Sequence, residues 1–154
     1  MRDVQRSKLY AWEEREVAPR DGTVLLFPQI KPMVDALWLD LGLLFPPIVE
    51  PMPRQARRRI ADATRLCLRV PERLPSWVLL HELAHVLSST ADGEHDGHGP
   101  VFVGLYLQLL VRYLRLPEAE LLCSLDRCGI EFDVDARPVM LDPPATGQGR
   151  DPSA

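Results

Sequence analysis

The sequence predicts a single α+β domain in which a small antiparallel or mixed sheet packs on a central helix and a second helix supports it. Three observations carry this. At 154 residues and 46% apolar content, the chain suffices for one core and is short for two. Thr23–Phe27 and Thr64–Val70 read as short strands, whereas Trp77–Ser88 and Pro100–Leu116 repeat their apolar residues with helical spacing. All four histidines, His81, His85, His95 and His98, lie on or just after the first of those helices. Histidines scattered through a core would not cluster this way; a metal site would.

In chain order, residues 3–17 are good helix formers with Asp3 as N-cap. Pro19, Asp21 and Gly22 make a turn, and Thr23–Phe27 is a strand closed by Pro28. Pro32 opens a helix over Met33–Leu44, with Met33, Leu37, Leu41 and Leu44 on one stripe. Pro46, Pro47, Pro51 and Pro53 then mark a covering loop, followed by a solvated basic run, Arg57–Arg59. In Thr64–Val70, Leu66, Leu68 and Val70 point one way and Arg65, Cys67 and Arg69 the other, as in a half-buried strand. If that strand lies at a sheet edge beside the site, its free N–H and C=O groups can pair with an extended peptide; the alternative is a strand paired on both sides. Ser76 caps the Trp77–Ser88 helix, whose wide apolar surface suits the middle of a domain. Ser89–Gly99 is a polar loop in which glycines let the chain double back. Pro100 starts the next helix and Pro117 ends it, opening a short helix over Glu118–Arg127. Ile130–Val134 alternates as a last strand. The domain is expected over 1–141, and 142–154 lacks the apolar content to fold and reads as a disordered tail.

The chemistry is concentrated in H-E-L-A-H, residues 81–85. Positions i and i+4 share a helix face, so His81 and His85 can aim two imidazoles at one metal ion. Glu82 sits about 100° round the helix, near enough to act on a water at that metal. This is the zincin arrangement, with the glutamate as general base. Zinc lowers the pKa of its bound water, and it needs a third protein ligand if water is to keep the fourth position. Spacing favours His98, which is held just before a helix, and leaves His95 as the alternative. Asp96 is the first candidate to orient a ligating ring through its second nitrogen. Tyr106, Tyr113, Arg65 and Arg69 are candidates to stabilise an oxyanion.

H-E-L-A-H with the downstream H-G-P-V-F, residues 98–102, resembles the SprT-like zinc metallopeptidases. That resemblance implies His81, His85 and His98 as zinc ligands and Glu82 as base. With R-D-V-Q-R-S-K-L-Y, residues 2–10, the chain is also similar from Arg2 to about Tyr113 to a small bacterial and phage family assigned as metallohydrolases. It departs from the larger SprT-like proteins in lacking their C-terminal cysteine zinc ribbon. Ala91, six residues after His85, breaks the metzincin pattern; a gluzincin ligand at Glu118 or Glu120 is a further alternative that the site does not require.

The net charge of −4 argues against a nucleic-acid backbone partner. The polar N-terminus has no signal-peptide core and no apolar stretch is long enough to span a bilayer, so a soluble cytoplasmic protein is expected. Cys67, Cys123 and Cys128 form neither a C-x-x-C nor a disulfide framework. The expected function is Zn2+-dependent hydrolysis, foremost of a peptide or protein substrate. The alternatives are a hydrolase of a non-peptide amide or ester, a non-catalytic zinc-binding module with both His95 and His98 as ligands, and an inactive zincin fold acting as an interaction protein.

Overall fold

Leu9, Trp12 and Val17 require one buried face, and the N-terminal segment coils to provide it. In a computed structural model of the chain, which describes residues 3–53 and 61–139, it forms α1 (Arg6–Trp12), a π-helical turn over Glu13–Val17 and a 3-10 turn over Ala18–Arg20. Asp3 stands outside the helix and is not its N-cap, which is Gln5. The Trp12 indole N–H donates to Ser124 Oγ at 2.8 Å, tying this segment to α5 (Glu118–Arg127).

β1 (Val24–Leu26) pairs antiparallel with β5 (Arg73–Pro75). The helix expected from Met33 starts six residues earlier, as α2 (Phe27–Asp40), with Pro28 in its first turn and Pro32 inside it. Gln29 sets that early start by accepting the Leu26 N–H at 2.8 Å. The buried stripe is Ile30, Val34, Leu37 and Trp38, leaving Met33 and Leu44 exposed.

The proline-rich stretch read as a covering loop contains a strand, β2 (Ile48–Pro51). It runs parallel to β4 (Cys67–Val70), and β3 (Asp62–Ala63) pairs antiparallel on β4's other side. β4 is therefore the central strand of this sheet among the described residues, paired along β2 on one side and at Leu68 and Arg69 with β3 on the other. Leu68 and Val70 are buried as expected. Leu66 is exposed because Thr64–Leu66 forms the β3–β4 turn, closed by the Thr64 N–H donating to Cys67 O at 2.8 Å. The run Arg57–Arg59 and the predicted tail 142–154 lie outside the described residues.

α3 (Ser76–Leu87) runs between the sheets and α4 (Pro100–Tyr113), with Leu79, Leu80, Leu83, Ala84, Val86 and Leu87 buried. Ser76 is its first residue, not its cap. The capping group is Asp21, whose carboxylate accepts the Trp77 N–H at 2.9 Å and the Ser76 hydroxyl. A cap of this kind stabilises a helix by about 1 kcal/mol. Here it also seats α3 against the turn before β1.

No strand forms over Ile130–Val134. The Glu131 N–H is taken by Gln5 Oε1 at 2.6 Å and the Asp133 N–H by Pro100 O at 3.0 Å, so these donors serve as anchors rather than a ladder. The segment crosses α4 at Gly104, where an added Cβ would stand 1.8 Å from Asp133 O. Gly104→Ala is expected to destabilise the fold by about 3 kcal/mol, read as a lower urea midpoint with an unchanged slope. A wild-type midpoint would show instead that residues 131–136 lift off without loss.

Candidate metal centre

The three histidines favoured by spacing converge. His81 and His85 project one turn apart from α3, and the loop after α3 brings His98 back to them just before α4. One nitrogen from each ring lies within 4.8 Å of the others. The Phe102 ring packs on all three, with centroid distances of 5.0 Å to His81, 4.3 Å to His85 and 4.9 Å to His98. This apolar wall fixes the rings and excludes water from one side.

Two carboxylates from the N-terminal segment hold two of the rings. Glu13, 3% exposed, lies 2.8 Å through Oε2 from His81 Nδ1, and the same oxygen accepts the Tyr106 hydroxyl at 2.7 Å. Asp3 Oδ2 lies 2.6 Å from His98 Nδ1. The Gln5 amide adds a third tie, donating to His98 O at 2.9 Å. With Nδ1 committed on both rings, Nε2 is the atom each presents to the cluster. His98 Nε2 is buried and has no hydrogen-bond partner among the described residues. A buried polar atom without a partner is rare unless something is meant to occupy the position beside it. These donors therefore fit a metal ion with imidazole ligands.

The electrostatics follow from this arrangement. Burial disfavours a charged His81, but the Glu13 hydrogen bond and charge outweigh it and raise the pKa. His85 has no such partner; burial and the neighbouring histidines push its pKa well down. Burial also lowers His98, with Asp3 opposing. Asp3 in turn is held below the usual carboxylate range, since its bond to His98 overcomes the effect of burial. Burial and the adjacent Glu13 charge raise Tyr106 far above an ordinary phenol, so its hydroxyl stays a donor. Glu82 is 8% exposed, and its charge acts on His81.

Comparison of the chain with protein-family models, with curated proteins and with solved structures finds no match.

Several sequence candidates do other work. His95 is exposed and outside the cluster; its Nδ1 accepts the Gly97 N–H at 2.9 Å. Asp96 orients no imidazole and instead caps α4, accepting the Val101 and Phe102 N–H groups at 2.8 and 3.3 Å. Arg65 is buried with its guanidinium 5.8 Å from the Trp38 ring centroid, and Arg69 is paired with Asp62. The Tyr113 hydroxyl donates to Asp40 at 2.7 Å. No described helix is long and apolar enough to cross a membrane.

Asp3 and Glu13 were missed as ring partners because they lie 95 and 68 positions from their histidines. Glu13 did leave a signal. It stands in the row Leu9, Trp12, Glu13, Val17, a carboxylate on an otherwise apolar face.

Proposed function

We propose that this chain is a zinc-dependent hydrolase acting on an amide bond, with His81, His85 and His98 as ligands and Glu82 as general base. The observation that carries the proposal is the buried, partnerless His98 Nε2 facing two further imidazoles, beside a buried glutamate one residue along from His81. Three neutral nitrogen donors suit zinc and leave a coordination position open, as catalytic sites do. Zinc held there would lower the pKa of a water toward neutrality and polarise a carbonyl.

The chain's own residues supply the rest. Glu13 and Asp3 hold His81 and His98 in the tautomer that presents Nε2. Phe102 packs on all three rings and keeps water from one side of the site. Glu82 takes a proton from the attacking water and returns it to the leaving nitrogen. The resemblance to SprT-like enzymes favours a peptide substrate. A small non-peptide amide or ester is the second reading, favoured by β4 being paired on both sides. The purely structural zinc module is weakened by His95, which would have been its fourth ligand and stands apart from the cluster.

The test is metal content of purified protein, wild type beside His98→Ala and His95→Ala, followed by digestion of an unfolded protein mixture. We expect one equivalent of zinc, lost in His98→Ala and kept in His95→Ala, and peptide cleavage that requires it. Protein that takes up no metal when zinc is offered overturns the proposal.

A further inference from the structure

The three tyrosine hydroxyls of this chain have different fates. Tyr106 donates to Glu13 and Tyr113 to Asp40. Tyr10 makes no hydrogen bond to any described residue through its hydroxyl and is 39% exposed. It is also at the metal centre. Its ring stands edge-on to His98, centroids 5.3 Å apart, and 6.0 Å from His81. The other aromatic side chains packed on the histidines, Phe102 and Tyr106, are fully buried. Tyr10 is the member of this ring set that meets solvent.

Its position is fixed by the same contacts that orient the ligands. Tyr10 precedes Glu13 by three residues, so the two share a helix face. Glu13 is anchored on His81, which sets the height of α1 over the cluster. Asp3 and Gln5 anchor the other end of the segment on His98. The Arg6 guanidinium lies 5.5 Å from the Tyr10 ring centroid and braces it from outside. A phenol ring held this way beside two of the three histidines, with no hydrogen bond from its hydroxyl among the described residues, is available to a group that arrives at the cluster.

We propose that Tyr10 is the substrate-contacting hydrogen-bond donor of this site, its hydroxyl bonding the oxygen of the carbonyl under attack. The inference rests on the hydrolase reading above. No bond of Tyr10 breaks: the proton stays on the phenol, and the hydrogen bond strengthens as negative charge builds on the substrate oxygen. The sequence candidates for this role are engaged by other groups: Tyr106 by Glu13, Tyr113 by Asp40, Arg69 by Asp62, and Arg65 buried against the Trp38 ring.

Cobalt-loaded protein tests this without a known substrate, because the visible spectrum of the metal reports ligand binding. The probe is acetohydroxamic acid, whose carbonyl oxygen imitates that of a substrate. Wild type and Tyr10→Phe are expected to bind one equivalent of cobalt with the same spectrum. The hydroxamate Kd is expected to rise about tenfold in Tyr10→Phe, as for loss of one hydrogen bond. On any peptide the wild type cleaves, kcat should fall about a hundredfold. Equal hydroxamate affinity in the two proteins overturns the role of Tyr10 and leaves the hydrolase reading intact. Loss of cobalt from Tyr10→Phe overturns it too, making Tyr10 part of the metal's support. A wild type that binds cobalt but no hydroxamate overturns both.

Discussion

Glu82→Gln is expected to leave the metal in place and to lower the hydrolytic rate by about a thousandfold, within the range general bases contribute. The substitution keeps the shape of a side chain that is 8% exposed, so α3 has no reason to repack. It removes the only property the proposal uses, an anionic oxygen that accepts a proton. Metal affinity should hold because the proposed ligands are three imidazoles, of which two are oriented by other carboxylates. The check is kcat/KM measured beside metal content on the same preparation. Activity within a few-fold of wild type would remove Glu82 from the chemistry and leave a metal site without its base. Loss of metal with activity would show that Glu82 supports the histidines and is not specifically a base.

The clustering of His81, His85 and His98 was legible because its signal is local. The i, i+4 spacing on α3 and a histidine placed just before α4 need no knowledge of distant chain, and the three rings do converge. The helices α3, α4 and α5 were legible for the same reason, each having a periodic apolar face bounded by proline or a polar turn. The errors concern groups whose partners are remote. Asp3 reads as a helix cap but is drawn to His98, and Ser76 reads as the cap of α3 although Asp21 supplies that function from 55 residues away. Asp96 sits two residues from His98 in sequence, which made it look like the ring's partner; the α4 N-terminus has a stronger claim on it. Ile130–Val134 alternates like a strand, but among the described residues no strand runs alongside to complete a ladder. The proline-rich stretch failed in the opposite sense. Pro51 ends β2 on the outer strand of its sheet, where a missing donor is tolerated. The fold is a small α+β domain.

Glu13→Ala is expected to weaken metal binding by about ten- to a hundredfold, the usual effect of removing a carboxylate that orients a ligating histidine. The reasoning starts from burial. Glu13 is 3% exposed, and its Oε2 serves two buried groups, His81 Nδ1 at 2.8 Å and the Tyr106 hydroxyl at 2.7 Å. Alanine strands both, and each unsatisfied polar group costs about 1–3 kcal/mol. His81 also loses the hydrogen bond and charge that do most to raise its pKa, leaving only the smaller effect of the Glu82 charge to oppose desolvation. The ring is then free to turn its other nitrogen to the cluster. Glu13→Gln separates the two effects, since it keeps a neutral acceptor and removes the charge; its loss of affinity should lie between wild type and alanine. Asp3→Asn should be milder again, because the Asp3 side chain is 28% exposed and water can replace it. Competition with a chromophoric zinc chelator measures the affinities, and urea melts of the metal-free proteins measure the structural part. If Glu13→Ala is less stable without metal yet binds zinc as tightly as wild type, the carboxylate serves packing alone. A fall in affinity larger than the fall in stability assigns it to the orientation of His81, and makes the N-terminal segment half of the metal centre.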